Sequence, residues 1–241
     1  KVFMYLEKIW EEQVYQYRNA IPDPQELLNA IEETEFLKGI EIAIPKWNDW
    51  PSSSGDGVVF GKRKDMTLER VDELPDYLKS KSLYIIHAIQ KAIKRVAEAY
   101  VKDRNLDIQL NLSPFVGVSK YLPGCEMGPH FDAQGGDEKL SYSMIFYLND
   151  DYEGGELSFV IRDQDLRLEE FSHLLPVSDI NDPINEKLID FALKPKAGDA
   201  MIFPSISPYR HRVHIMKSGS KYIIPGFIFK PGVSAYDYEN K

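Results

Sequence analysis

His130-Phe131-Asp132 sets an imidazole and a carboxylate two residues apart. Along a β-strand, positions i and i+2 face the same side, so both side chains can reach one metal ion. A third ligand from a distant strand would complete a face of two histidines and one carboxylate, leaving other coordination positions open. His211 and His214 are the candidates for it. They stand three residues apart, so on a strand they face opposite sides and cannot be equivalent.

A histidine and an aspartate at this spacing are common, and the surroundings give the pair its weight. Tyr121-Leu-Pro-Gly124 precedes it, and Tyr142-Ser-Met-Ile-Phe-Tyr147-Leu-Asn149 and Gly154-Gly155-Glu156 follow. Next come Pro195-Lys-Ala-Gly198-Asp199, His211 and Gly219-Ser-Lys221-Tyr222. This succession, over about residues 107–230, resembles the 2-oxoglutarate/iron(II)-dependent oxygenase superfamily, and within it the prolyl 4-hydroxylase-like branch. The resemblance implies a metal site of His130, Asp132 and His211. It selects His211 because Lys221 lies ten residues later, at the family's spacing to its basic anchor.

The resemblance further implies Fe(2+) as cofactor and 2-oxoglutarate and O2 as co-substrates, with ascorbate as a reductant. 2-Oxoglutarate would be converted to succinate and CO2 while a substrate C–H bond is hydroxylated. Lys221 would bind the far carboxylate, with Tyr121 and Tyr147 as donors. The family often carries a second tyrosine where this chain has Met127, and threonine where it has Ser143. The expected substrate is a prolyl residue in a peptide or protein. Another amino-acid side chain or a small metabolite is the alternative. A zinc hydrolase on the same triad, or a non-catalytic jelly-roll binding module, are readings from other classes. Arg210 and Arg212 flank His211 and read as solvated strand-edge charges, with substrate contact as the alternative. Cys125 and His173 read as structural and surface residues.

The elements that must position these residues change character along the chain. Residues 1–21 mix apolar and charged positions without a clear period. Asp23-Pro24-Gln25-Glu26 reads as a helix start, with Asp23 as cap, followed by Leu27, Leu28 and Ile31 on one face. A second helix is expected from about Leu78 to Lys102, with Leu83, Ile86, Ile93, Ala97 and Tyr100 on its packed side and His87 among them. The turn-rich stretch 46–64 between them reads as a lid over the site. From residue 107 short strands are expected at 107–121, 140–148, 156–161, 199–204, 211–216 and 220–229. An acidic insertion, 162–193, interrupts them. The expected fold is therefore α+β: a double-stranded β-helix (jelly-roll) core over 107–230, supported by residues 1–106, in a single domain spanning 1–241.

Composition bounds the rest. The 241 residues are 43% hydrophobic, enough for a sizeable core. A net charge of −9 argues against a partner held mainly through phosphates, so no nucleic acid is expected. No apolar run suits a membrane span, and one cysteine suits a reducing cytoplasmic setting.

Overall fold

The computed structural model describes residues 3–35, 48–49, 59–60, 63–67, 76–112, 116–133, 139–161 and 174–233. Its elements begin with strands β1 (Tyr5–Trp10) and β2 (Val14–Arg18) and helix α1 (Pro24–Glu35). Short strands β3 (Asn48–Asp49), β4 (Val59–Phe60) and β5 (Arg63–Thr67) lead to helix α2 (Asp76–Asp103). Then come β6 (Gly117–Tyr121), β7 (Glu126–His130), β8 (Leu140–Tyr147), β9 (Glu153–Gly154) and β10 (Leu157–Val160). Helix α3 (Asn185–Leu188) precedes β11 (Phe191–Leu193), β12 (Ala200–Pro204), β13 (Arg210–Val213), β14 (Met216–Ser218) and β15 (Lys221–Phe229).

An eight-stranded sheet runs in the order β1-β2-β12-β8-β15-β6-β5-β3, and a five-stranded sheet in the order β11-β10-β13-β7-β4. β14 pairs with β9. The ladders among the described residues are antiparallel, and the two larger sheets form the jelly-roll core that the sequence pattern leads one to expect.

Strands β2, β12, β8 and β15 of the large sheet are buried on both faces, and alternation along them sorts the side chains. Met144, Phe146 and Leu148 of the β8 segment, Ile202 of β12 and Ile224 of β15 join one apolar cluster with Leu27 and Ile31 of α1 and Ile89, Ile93 and Val96 of α2. Tyr147, Phe203 and Ile223, their neighbours along the chain, join a second cluster with Tyr121, Leu157 and Phe159, between the sheets. α2 comes close enough to β15 that a Cβ on Gly226 would lie 3.1 Å from Ile93 Cγ1.

Several expectations are refined. Residues 1–21 contain a strand hairpin, with β2 continuing the large sheet against β12. Val14 enters the inter-sheet cluster while Tyr15 and Tyr17 enter the helix-side cluster, so burial on both faces erases a polar-apolar alternation. Asp23 caps α1 by accepting the Glu26 N–H at 3.3 Å. α2 begins at Asp76, two residues before the expected start. His87 is exposed, not packed: the buried stripe runs through Ile85, Ile89, Ala92, Val96 and Tyr100, and two residues past Ile85 is a rotation of about 200°. Residues 191–193, expected within the insertion, extend the five-stranded sheet as β11. The serine-glycine stretch 52–57 of the expected lid lies outside the described residues, as do Arg162, Arg167 and His173.

Gly154 illustrates how tightly the β9–β14 ribbon is built. Its φ is +77°, and an added Cβ would lie 2.2 Å from the Ile215 carbonyl oxygen. Gly124, with φ +81°, has nothing within 4 Å of such a Cβ. Gly124→Ala is expected to cost about 1–2 kcal/mol, the left-handed backbone penalty alone. Gly154→Ala must cost more, because backbone has to move. Urea unfolding of the two variants checks the order.

Candidate metal centre and co-substrate pocket

β13 lies antiparallel to β7 with His211 directly opposite His130. Asp132 sits just beyond the end of β7, where the chain has begun to turn. The strand argument for His130 and Asp132 is thus replaced by a strand end and a bend, with the same convergence. His130 Nε2 lies 3.2 Å from Asp132 Oδ1 and His211 Nε2 lies 3.7 Å from it. One ligand atom from each residue falls within 4.8 Å of the others.

The tautomers follow from the partners of the other ring nitrogens. His130 Nδ1 is 2.8 Å from the Gly128 carbonyl oxygen and His211 Nδ1 is 3.2 Å from that of Tyr209. A carbonyl only accepts, so each Nδ1 carries a proton, and the neutral form of each ring turns an Nε2 lone pair toward Asp132. Burial, reinforced by His130, lowers the His211 pKa to about 4, so the ring is neutral at physiological pH. Burial alone would raise the Asp132 carboxyl. The charge that His211, and then His130, carry when protonated, with hydrogen bonds from His130 and Ser143, reverses this and holds it below the usual carboxylate range; a metal ion would supply the same positive charge to neutral rings. Two lone pairs and a carboxylate oxygen therefore face one another, an arrangement that a cation satisfies. The donor set of two imidazoles and one carboxylate fits iron(II), and backbone carbonyls orient the imidazoles as metal-site histidines require.

The surroundings hold this geometry. Phe159 and Phe203 pack against the His211 ring, with centroids at 5.7 and 4.8 Å. Ser143 Oγ pairs with Ser205 Oγ at 2.7 Å, and the Ser205 carbonyl accepts the Ala133 N–H at 3.0 Å, next to Asp132. Ser143 and Ser205 are thus linked to the aspartate turn, a role that their residue types alone do not announce.

A second polar group lies on the wall of the inter-sheet cluster. Lys221 opens β15 opposite Tyr121 of β6, and the next inward-facing residue, Ile223, is opposite Tyr147 of β8. The lysine is only 1% exposed. Its Nζ donates to the Gly155 carbonyl at 2.7 Å and stands 5.4 and 5.3 Å from the Tyr121 and Tyr147 ring centroids. Tyr121 Oη meets Met127 Sδ at 3.7 Å. Tyr147 Oη is buried and has no hydrogen-bond partner among the described residues. Asn149 fixes the start of β15: its Nδ2 donates to Ser220 O at 2.7 Å, and its Oδ1 accepts the Tyr222 N–H at 2.9 Å.

Residues 116–229 match the model of the 2OG-Fe(II) oxygenase superfamily. The matched segment is 114 of the 241 residues and holds His130, Asp132, His211 and Lys221. The superfamily uses Fe(2+), 2-oxoglutarate and O2. No curated protein sequence matches the chain. Solved structures share its fold. A prolyl-4-hydroxylase from Pseudomonas putida aligns at 16% identity and a TM-score of 0.55, over 91% of this chain and 94% of that one. A prolyl hydroxylase from Trichoplax adhaerens, in complex with a hypoxia inducible factor oxygen degradation domain peptide fragment, aligns at 12% identity and 0.59, over 96% and 89%. An oxidoreductase of the 2OG-Fe(II) oxygenase family from Burkholderia pseudomallei aligns at 11% identity and 0.54, over 90% and 85%.

Behind the candidate metal face, the other side chains of β13 and of the residue after it follow a different pattern. Arg212 is not a solvated charge. It is buried, bonded to Glu126 and to the Pro176 carbonyl. Arg210 stacks its guanidinium 4.8 Å from the Phe131 ring centroid. His214 is buried with Nδ1 3.1 Å from Ser178 O and Nε2 2.8 Å from Ser158 Oγ. The first contact needs a proton on Nδ1, and the second can then run from the serine hydroxyl to the Nε2 lone pair. His214 is satisfied as a neutral connector between β10 and the segment after residue 173. Ser178 Oγ also donates to Glu126 Oε1 at 2.8 Å, closing the seam. Cys125 is a buried thiol.

Burial, then the charge of Arg212, lower the His214 pKa from 6.5 to about 4. Above pH 6.5 the ring is neutral in both folded and unfolded chains and has no effect on the pH dependence. Below it the unfolded chain takes up a proton that the folded chain refuses, so stability falls as the pH drops toward 4, by up to about 1.4 kcal/mol per pH unit. His214→Gln is expected to flatten this slope between pH 6.5 and 4. Denaturant midpoints of the two proteins across that window measure the difference.

Proposed function

We propose that the chain hydroxylates a prolyl residue in a peptide or protein, using 2-oxoglutarate and dioxygen at an iron(II) held by His130, Asp132 and His211. The observation that carries the iron(II) and 2-oxoglutarate part is that two polar groups border one apolar cluster. A three-acceptor metal face and a buried lysine beside an unpaired phenol both border the inter-sheet cluster. A zinc hydrolase on the same triad would leave Lys221 and Tyr147 without a ligand. A keto diacid uses both ends: one to chelate the metal, the other to engage a cation and hydroxyl donors.

Bound iron(II), with 2-oxoglutarate and O2, supplies the oxidation, and succinate and CO2 are its co-products. The protein's own residues bind, orient and exclude water. Two imidazoles would offer Nε2 lone pairs to the metal, and the carboxylate would balance part of its charge. Lys221 and the Tyr147 hydroxyl meet the distal carboxylate by charge-assisted hydrogen bonds. The aromatic wall of Phe159 and Phe203 keeps the distal-histidine side dry, which strengthens the electrostatics within and protects reactive species from water. The α1 and α2 side chains pack on the back of the same sheet, consistent with one domain. The prolyl assignment rests on the kinship in fold with prolyl hydroxylases, a warrant by analogy. Ascorbate serves as the external reductant in this reading.

Purified protein with Fe(2+), 2-oxoglutarate, O2 and ascorbate, offered a library of proline-containing peptides, should yield succinate together with a peptide gain of one oxygen atom by mass spectrometry. Oxygen gained on another side chain or on a small metabolite would redirect the substrate, and absence of succinate under all conditions would remove the oxygenase reading. Alanine at His130, Asp132 or His211 should abolish turnover, while His214→Ala should retain much of it. Lys221→Ala should leave iron binding intact and weaken 2-oxoglutarate by roughly 10–100-fold, the loss of about 1.5–3 kcal/mol.

A further inference from the structure

Tyr152 is 4% exposed and lies in the inter-sheet cluster with Tyr121 and Tyr147. Its ring is fixed by packing. A Cβ on Gly219 would touch Tyr152 Cα and Cβ at 3.1 Å, Lys194 Nζ stands 4.3 Å from the ring centroid, and Lys194 also donates to the Tyr152 carbonyl. The hydroxyl is held by nothing comparable. Tyr152 Oη is buried without a hydrogen-bond partner among the described residues, as is Tyr147 Oη. Two orphaned phenols in one cluster are a costly arrangement unless something absent from the folded chain alone completes them.

The position of Gly155 ties Tyr152 to the lysine. A Cβ there would fall 3.3 Å from Lys221 Cδ and 3.5 Å from Tyr152 Cε2, so both side chains flank the same glycine. The Gly155 carbonyl accepts Lys221 Nζ at 2.7 Å and fixes the ammonium. Lys221 Nζ is in turn 5.3 Å from the Tyr147 ring centroid. The geometry points to Tyr152 as a further co-substrate residue: its phenol joins Lys221 and Tyr147 in closing the pocket on the distal carboxylate of a keto diacid. This rests on the co-substrate reading above and deepens it. Burial, and for Tyr152 the acids Asp150 and Glu156, raise the pKa of both phenols, which therefore remain O–H donors suited to a carboxylate. The carboxylate has two oxygens able to accept from several donors at once, and an ammonium alone gives little directional preference. Rigid phenols would set the depth of the pocket and hence the length of diacid accepted.

The test compares Tyr152→Phe, Lys221→Ala and the unaltered protein, each loaded with Mn(2+) in place of iron so that no turnover occurs. 2-Oxoglutarate affinity is read by calorimetry, and thermal midpoint is read without ligand. For Tyr152→Phe the expected result is about tenfold weaker binding, as the loss of one hydrogen bond to a charged group implies, with an unchanged or higher midpoint because a buried unpaired hydroxyl has been removed. A hydroxyl with a structural task would instead lower the midpoint, and that result would overturn the inference. Unchanged affinity in Tyr152→Phe with weakened binding in Lys221→Ala would also overturn it while leaving the co-substrate reading in place. Unchanged affinity in both variants would overturn both.

Discussion

One antiparallel register organises the centre of this protein. With His211 opposite His130, two imidazoles meet across the β7–β13 ladder, and the turn after β7 brings Asp132 between them. Each Nδ1 is engaged by a carbonyl two residues earlier in its own chain segment, so both rings present the same nitrogen to the aspartate. A one-residue slip would send His211 to the opposite face and bring Arg212 inward. The slip is opposed on that reverse face. Arg212 is paired there with Glu126, and His214 bridges Ser158 and Ser178. The buried seam and the metal face are two sides of one pairing.

The large sheet serves the site in a similar way. Its strands carry apolar side chains on both faces, and the helix-side cluster anchors the sheet so that the opposite face can carry polar groups. Lys221, Tyr121 and Tyr147 project from adjacent strands of that sheet. Asp199 ties the N-terminal hairpin to the turn before β12, accepting from Arg18 Nη1 at 2.7 Å, Lys196 N at 2.8 Å and Gln16 Nε2 at 3.1 Å. The hairpin's Trp10 stacks on Phe191, which stacks on Phe159 beside His211, with centroid separations of 4.7 and 4.9 Å. An aromatic column thus runs from the first strand to the metal face.

Much of the site was legible in the sequence because its chemistry depends on spacing. His130, Asp132, His211 and Lys221 occupy positions whose types and intervals are distinctive together, and the jelly-roll strands carry glycine and proline punctuation. What was not legible depends on tertiary contacts. Nothing local marks Tyr152 as buried with an unpaired hydroxyl, beyond its nearness to Gly154 and Gly155. Arg212 looks like an edge charge until Glu126, 86 residues away, is folded against it. β2 escapes recognition because both its faces are buried, and His87 falls on the expected packed side only because Leu83 and Ile86, both half-buried, draw that side toward it, whereas the buried stripe runs through Ile89, Val96 and Tyr100. Ser205 is an ordinary serine in sequence and a support for the metal turn only in three dimensions.

In the proposed function the triad and the buried lysine are two ends of one ligand site. An anaerobic titration tests it most directly: Fe(2+) added to the metal-free protein, then 2-oxoglutarate, with the visible spectrum recorded throughout. The account predicts one iron per chain and a metal-to-ligand charge-transfer band that appears only when the keto acid chelates the bound iron. Iron binding at that stoichiometry with no new band on saturation with 2-oxoglutarate would contradict it.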